Sequence, residues 1–578
     1  MVSKLKRTVA VSAAAVLGLS LAACGGGGSD SDNDNGGPAA AGEKGGTLTV
    51  LQHFPYESVD PQRIYYGVEL AHFRRLLYRG LLAFPMDEDA EAGTTPVPDL
   101  ATDTGTSTEG GKVWSFTLKD GVKWEDGSDI TCEDVKYGTS RVFANDVITG
   151  GPNYTLSYID VKDYPGPYKA TDAQQAAFDK AVSCEDKTIT FRFNKPWADF
   201  PQAVAGMMMT DPYKEEFDEG ARSTWKVLSN GPYKVEGGVW DKNKGATLVR
   251  NENYDESTDS PEDLRLALPD KIEVKIDPSD TAGELFNDRL IVDAPADQTA
   301  ITLARVAPSQ FPKITGPVED RFVNVLSPYN SYLSPNFKRV TDLKVRQALA
   351  VALDLDGYVK ALGGDKAAAP AETIVNPGVS GSQDNPAFAG DNGGDPEAAK
   401  ALLEEAGVKT PYPIKLGYSA SPTADKAMAV IKEGWDAAGF KVTLAPLTDT
   451  YYDVISRPDD DYDVTWGGWG ADWPSMMTVL PALYDSRPNF SSTTCGQDYG
   501  CYQSKAFEDL VDKAANAADI DEQVGFLQEA DVQLGKDVAY IPLEITKFNW
   551  LHGSKVTGFT TTPASSSYPE IGLIGVSK

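Results

Sequence analysis

The densest run of recognition chemistry in the 578-residue sequence is Tyr462 to Pro474, YDVTWGGWGADWP. Trp466, Trp469 and Trp473 share this stretch with the carboxylate of Asp472, and Gly467, Gly468 and Gly470 leave its backbone open. Flat aromatic faces, accessible amides and one fixed negative charge suit a pocket wall. Asp463 to Trp466 reads as a strand, and Gly467 to Gly470 as the break that ends it. Catalytic sets are missing by comparison. His53, His72 and His552 are the only histidines, and no two have the spacing of a zinc site. Neither a GxSxG elbow nor a GxxxxGK[ST] phosphate loop occurs. With 85 acidic residues, carboxylate pairs arise everywhere by number alone and carry no weight. The expectation is a binding protein with no catalytic residue, no metal site and no cofactor.

Cysteine chemistry divides in two. Cys24 closes Leu21-Ala22-Ala23-Cys24, behind a positive segment (Lys4, Lys6, Arg7) and an apolar run, Val9 to Leu21, too short for a comfortable membrane span. This looks like a bacterial lipobox, in which the cysteine thiol takes a diacylglyceryl group and becomes the new N-terminus. Residues 1–23 therefore read as a lipoprotein signal peptide. Residues 24–46, built mainly from Gly, Ser, Asp, Asn and Ala, read as a flexible tether that cannot bury enough surface to order itself. The expected location is the outer face of the cytoplasmic membrane, held by a lipid anchor. Cys132, Cys184, Cys495 and Cys501 remain, an even number in an exported chain, which favours disulfides with three connectivities open. The pairings nearest in sequence, Cys132–Cys184 and Cys495–Cys501, are preferred.

These groups need a scaffold, and the composition supplies one. Hydrophobic residues make up 41% of the chain and charged residues 24%, an ordinary globular balance. The length suggests roughly three to five domains. Lys plus Arg is 53 against 85 Asp plus Glu, a net charge of -32 that repels phosphate backbones, so no nucleic-acid partner is expected. Thr47 to Leu51 and Val113 to Leu118 alternate as strands, and Thr131 can cap a helix that starts with Glu133 and Asp134. Ala371 to Gly394 reads as a surface loop, and Pro396 to Gly407 as a helix with Pro at its start and Gly past its end. Val345, Leu349 and Ala352 share a helix face, with Arg346 beside them for a structural salt bridge. Strands Ile414 to Tyr418 and Lys441 to Leu444 flank a helix over Thr423 to Ala438. That βαβ unit predicts a parallel or mixed α/β sheet.

Lys112 to Val142, KVWSFTLKDGVKWEDGSDITCEDVKYGTSRV, closely resembles the signature of the family 5 extracellular solute-binding proteins, the oligopeptide and dipeptide receptors of ABC importers. Four further segments agree in the family's order: SNGPY at Ser229 with Leu248 to Tyr254 after it, DLKVRQALAVAL at Asp342, Ala398 to Gly407, and Tyr462 to Pro474 itself. The resemblance covers the body from Gly45 onward. It implies a mixed α/β, periplasmic-binding-protein-like fold with two lobes, an interlobe ligand cleft and an extra domain. Residues 47–77, 224–326 and 534–578 would form lobe 1, residues 78–223 the extra domain on it, and residues 327–533 lobe 2. It implies a monomer that captures a peptide ligand and delivers it to the permease subunits of an ABC transporter. Other solutes, such as an oligosaccharide, opine or metal chelate, and a chaperone or signalling role, stay open. In peptide-binding members the aspartate at the position matching Asp472 pairs with the ligand's α-ammonium group. Arg457 aligns with a cleft arginine that can meet a ligand carboxylate. Tyr65, Tyr66 and the stretch Tyr329 to Asn336, with Tyr332 and Asn336 as its ligand-contact candidates, align with segments that line the cleft.

Overall fold

The computed structural model describes residues 44–259, 264–448 and 450–577. Cys24, the signal segment and nearly all of the tether lie outside the described residues. Alternation of apolar residues in Thr47–Gln52 places Leu48 and Val50 in the core. This strand pairs in parallel with Lys271–Ile276 on one side and Ala300–Thr302 on the other. Gly245–Arg250 and Tyr233–Val235 complete a five-stranded mixed sheet.

A separate four-stranded antiparallel sheet holds Thr106–Thr108, Val113–Thr117, Thr188–Arg192 and Val182–Glu185 in that order. Trp114 and Phe116 form its core with Phe178, Phe191, Trp197 and Phe200. Thr131 caps the helix Cys132–Arg141 through a reciprocal capping box with Asp134. A disulfide joins Cys132 at the start of that helix to Cys184 on the edge strand. A second links Cys495 to Cys501.

The third sheet has six strands, in the order Ala368–Pro370, Ile541–Leu551, Phe322–Pro335, Val464–Gly470, Tyr412–Ser419 and Phe440–Leu447. The last two are parallel and joined by the helix Pro422–Ala437, which buries Ala427, Met428, Ile431 and Trp435. Asp395 caps the helix Pro396–Glu405 through two backbone amides. Phe322–Pro335 and Ile541–Leu551 belong to two cores at once. Leu333, Ile541 and Leu543 sit in the core of the six-stranded sheet, whereas Phe322 and Leu551 pack with Leu51 and Ala300 of the five-stranded one. The register between these long strands slips between Leu326 and Asn330 and again at Tyr332. Bulges bend a strand pair, and here they do so where the two lobes meet.

Three expectations need correction. Gly467 to Gly470 do not break the strand, which continues as Val464–Gly470. Tyr332 lies directly opposite Gly467, and Tyr329 opposite Gly470. A Cβ on Gly467 would come 2.9 Å from the Tyr332 ring, and one on Gly470 2.7 Å from the Tyr329 ring. The glycines are therefore seats for aromatic rings across the strand pair. Among the described residues Arg346 meets no carboxylate by hydrogen bond. It donates to the carbonyls of Val340, Thr341 and Asp537 and stacks 4.1 Å from the Phe337 ring centroid. The irregular 371–394 segment is not wholly superficial, because Thr373, Asn376 and Asn385 are buried.

Candidate functional site

Where the shared strands bulge, two cavities of about 690 and 780 Å³ open on either side of Tyr329, which lines both. Tyr329 and Tyr568 both line the second cavity, and the Phe548 ring lies 6.1 Å from Tyr329 and 5.2 Å from Tyr568. These three rings partition one cleft into two compartments.

The helix Gly67–Leu76 presents Gly67, Leu70, Ala71 and Arg74 to the first compartment, the three- and four-residue spacing of one helical face. Tyr65 and Tyr66 precede it, 39% and 59% exposed. The cations on this wall are already neutralised. Arg74 holds both oxygens of Asp211 at 2.9 and 2.8 Å, and Arg75 pairs with Glu570 at 3.1 Å. The segment Gly470 to Pro474 forms the opposite wall.

Asp472 is the exception to that neutrality. The Tyr65 hydroxyl donates to its Oδ1 at 2.9 Å, and the Tyr154 hydroxyl donates to its Oδ2. Among the described residues it has no ion-pair partner. Burial raises the Asp472 pKa, and the two phenols hold it back. A desolvated carboxylate bonded but not neutralised can accept a cationic group. Its neighbour Trp473 leaves the six-stranded sheet's lobe altogether. It is buried in the core of the four-stranded domain, with its Nε1 2.7 Å from Asp199 and its ring edge-on to Tyr154 at 4.6 Å.

Asp472, Trp473, Tyr65 and Tyr66 thus lie together on the first compartment. Trp466, Trp469, Tyr332, Asn336 and Arg457 line neither compartment. Tyr332 is buried in a hydrophobic cluster over Gly467, and Asn336 turns its amide oxygen to the Lys338 backbone at 3.0 Å. Trp469 donates to the Thr478 carbonyl at 2.9 Å, and Trp466 packs against two cores. Arg457 is exposed, and its Nε bonds the Asp453 carbonyl at 2.9 Å at the end of a short helix. Aromatic residues alternating along a strand reach both faces, so only part of the tryptophan set can share a cavity.

Sequence reasoning missed Tyr154, Asn376, Arg305, Glu544 and Tyr568. Asn376 lines the first compartment and donates to the Ser327 carbonyl at 2.9 Å and Asn330 Oδ1 at 2.8 Å. Arg305 and Glu544 line the second. Glu544 is 5% exposed, and burial pushes its carboxyl pKa up to about 7 against the opposing pull of the Ser331 and Tyr358 hydroxyls. None of the five sits in a motif. They are brought to the cleft by the tertiary fold alone.

Residues 95–491 match the description of bacterial extracellular solute-binding proteins, family 5. The periplasmic oligopeptide-binding protein OppA of Salmonella typhimurium is 25% identical, over 84% of this chain and 84% of that protein. The dipeptide-binding protein of Escherichia coli is 25% identical, over 85% of this chain and 88% of its own length. Among solved structures, the clavulanic acid biosynthesis oligopeptide binding protein 2 superposes with a TM-score of 0.81 at 24% identity, covering 94% of this chain and 99% of that one.

Proposed function

The chain belongs to the bacterial extracellular solute-binding proteins, family 5, and from that premise we propose that it captures peptides with a free N-terminus and delivers them to the permease subunits of an ABC importer. The observation that carries the reading is Asp472, a carboxylate on one lobe bonded to hydroxyls from the other side of the cleft and neutralised by neither. A peptide ammonium supplies the missing charge. Its backbone would bond to cleft amides as an added strand does. The relatives named above as oligopeptide- and dipeptide-binding proteins support this ligand class. The protein itself would carry out no chemistry, and ATP hydrolysis would belong to the transporter.

Lobe 1 (residues 47–77, 224–326 and 534–578) with the extra domain (78–223) would move against lobe 2 (327–533), hinging within the two shared strands. A monomer held by a lipid on Cys24, after removal of residues 1–23, keeps the receptor beside its permease. Native mass spectrometry of protein purified from its host, with released ligands sequenced, tests the ligand class. Bound oligosaccharide or chelate, and no peptide, overturns it. Detergent-phase partitioning tests the anchor: Cys24→Ser should move the protein to the aqueous phase.

A further inference from the structure

The second compartment lies beyond the Tyr329–Phe548–Tyr568 partition and contains the buried carboxylate of Glu544. Its Oε2 makes no hydrogen bond. Asp531, also buried, shows what a structural carboxylate looks like here. The Tyr540 hydroxyl donates to one of its oxygens at 2.7 Å, and the Thr373 hydroxyl to the other at 3.1 Å. A buried carboxylate with one oxygen left unbonded costs the fold stability, and a leucine or glutamine would fill that space at lower cost. Glu544 is thus better accounted for by a ligand than by the fold.

The remaining charges on this compartment narrow the ligand. Arg305 and Lys547 line it, and among the described residues neither has an ion-pair partner. Arg305 is exposed, with its guanidinium 5.4 Å over the Phe548 ring, and Lys547 is half-buried. Asp280 and Glu284 face the same space from exposed positions, so a wholly anionic ligand is disfavoured. A buried anion with more exposed cations around it matches a group that carries a positive side chain and a negative terminus together.

We propose that the second compartment selects a basic residue at the ligand's carboxyl-terminal end, with Glu544 receiving the side-chain ammonium or guanidinium and Arg305 or Lys547 the terminal carboxylate. The inference rests on the peptide reading above and adds to it a polarity: N-terminus at Asp472, C-terminus past Tyr329. Peptides with an uncharged residue there would leave Glu544 unmet, which is how a buried group discriminates.

The test is a competition among synthetic peptides of two to six alanines extended by a final lysine, norleucine or glutamate, with bound species read by native mass spectrometry. Wild type should retain lysine-ended members at least about tenfold over their norleucine counterparts. Glu544→Gln, with folding checked by circular dichroism, should hold the two alike. Arg305→Ala combined with Lys547→Ala should lose the preference for a free carboxylate over its amide while still favouring lysine. Equal retention of lysine and norleucine by wild type, or an unchanged preference in Glu544→Gln, overturns the inference. If no peptide of any ending is retained, the peptide reading itself fails first.

Discussion

Tyr65 and Asp472 are 407 residues apart in sequence, and the tyrosine hydroxyl lies 2.9 Å from the carboxylate across the cleft. Tyr154 reaches the other oxygen from the four-stranded domain. Both partners are neutral, so the carboxylate is oriented from two directions and stays an anion without a cation. A carboxylate held in place by the fold and left without a cation is what the proposed ammonium contact requires.

Removing Asp472 should cost most of the recognition of a peptide N-terminus. Truncating one partner of a buried, hydrogen-bonded charge pair costs about 2–5 kcal/mol. Asp472→Ala should therefore weaken binding of a free peptide by roughly 30-fold or more. N-acetylation should weaken wild type similarly, and the two losses should not add, because they delete the same pair. Calorimetric titration of the four combinations reads the coupling directly. Additive losses would mean that Asp472 and the ammonium do not meet.

The same pair should titrate. Burial raises the Asp472 carboxyl pKa, so a proton competes with the ammonium for it as pH falls. Affinity should weaken on acidification with the slope of one proton. Asp472→Asn should bind weakly with no such slope. A wild-type Kd that does not change between about pH 4 and 7 would contradict this, since even an ordinary carboxylate begins to protonate there.

Glu544 makes a prediction about stability alone. Its folded pKa of about 7 lies above the ordinary 4.5. The folded state thus holds a proton that the unfolded chain releases earlier. Below pH 4.5 both states are protonated and the fold is at its relative best; as pH rises through 7 that advantage is lost. Two and a half units correspond to about 3 kcal/mol. Glu544→Gln should therefore be stabilised relative to wild type at pH 8 by up to about 3 kcal/mol more than at pH 4.5. Urea melts at both values check it. An identical difference at the two pH values would show that the carboxylate is compensated.

Where the sequence was readable, the interaction was local. The Thr131 cap, the helix that starts at Pro396 and the helix between two parallel strands each arise within a few residues of their cause. The pattern around Trp466 misled for the opposite reason. Gly467 and Gly470 look like strand breakers until Tyr332 and Tyr329, more than a hundred residues away, are laid across them. The Tyr154–Asp472 bond spans 318 residues, and Glu544 differs from a structural carboxylate in its unbonded Oε2. Neither leaves a trace in spacing or periodicity. The first compartment was half legible because Asp472 and Trp473 lie in one motif, and of the second only Tyr329 was.

Trp473 should act on closure rather than on chemistry. It belongs to the lobe of the six-stranded sheet, yet it is buried against Trp197 and Tyr154 of the four-stranded domain and donates to Asp199. Opening the cleft must withdraw the indole into water and strip that bond from a buried carboxyl. Large aromatic-to-alanine changes in cores cost about 3–5 kcal/mol, and here the loss falls on the closed arrangement. Trp473→Ala should shift the lobes toward open forms, visible as a larger radius of gyration in small-angle scattering without ligand. It should weaken peptide binding by at least about tenfold, since affinity scales with the fraction of closed protein. Urea unfolding of the four-stranded domain should change little, because its own aromatic core is intact. Trp473→Phe separates packing from hydrogen bonding and should fall between wild type and alanine. If Trp473→Ala binds peptide as wild type does, with the same scattering profile, the residue is a packing contact and does not hold the lobes shut.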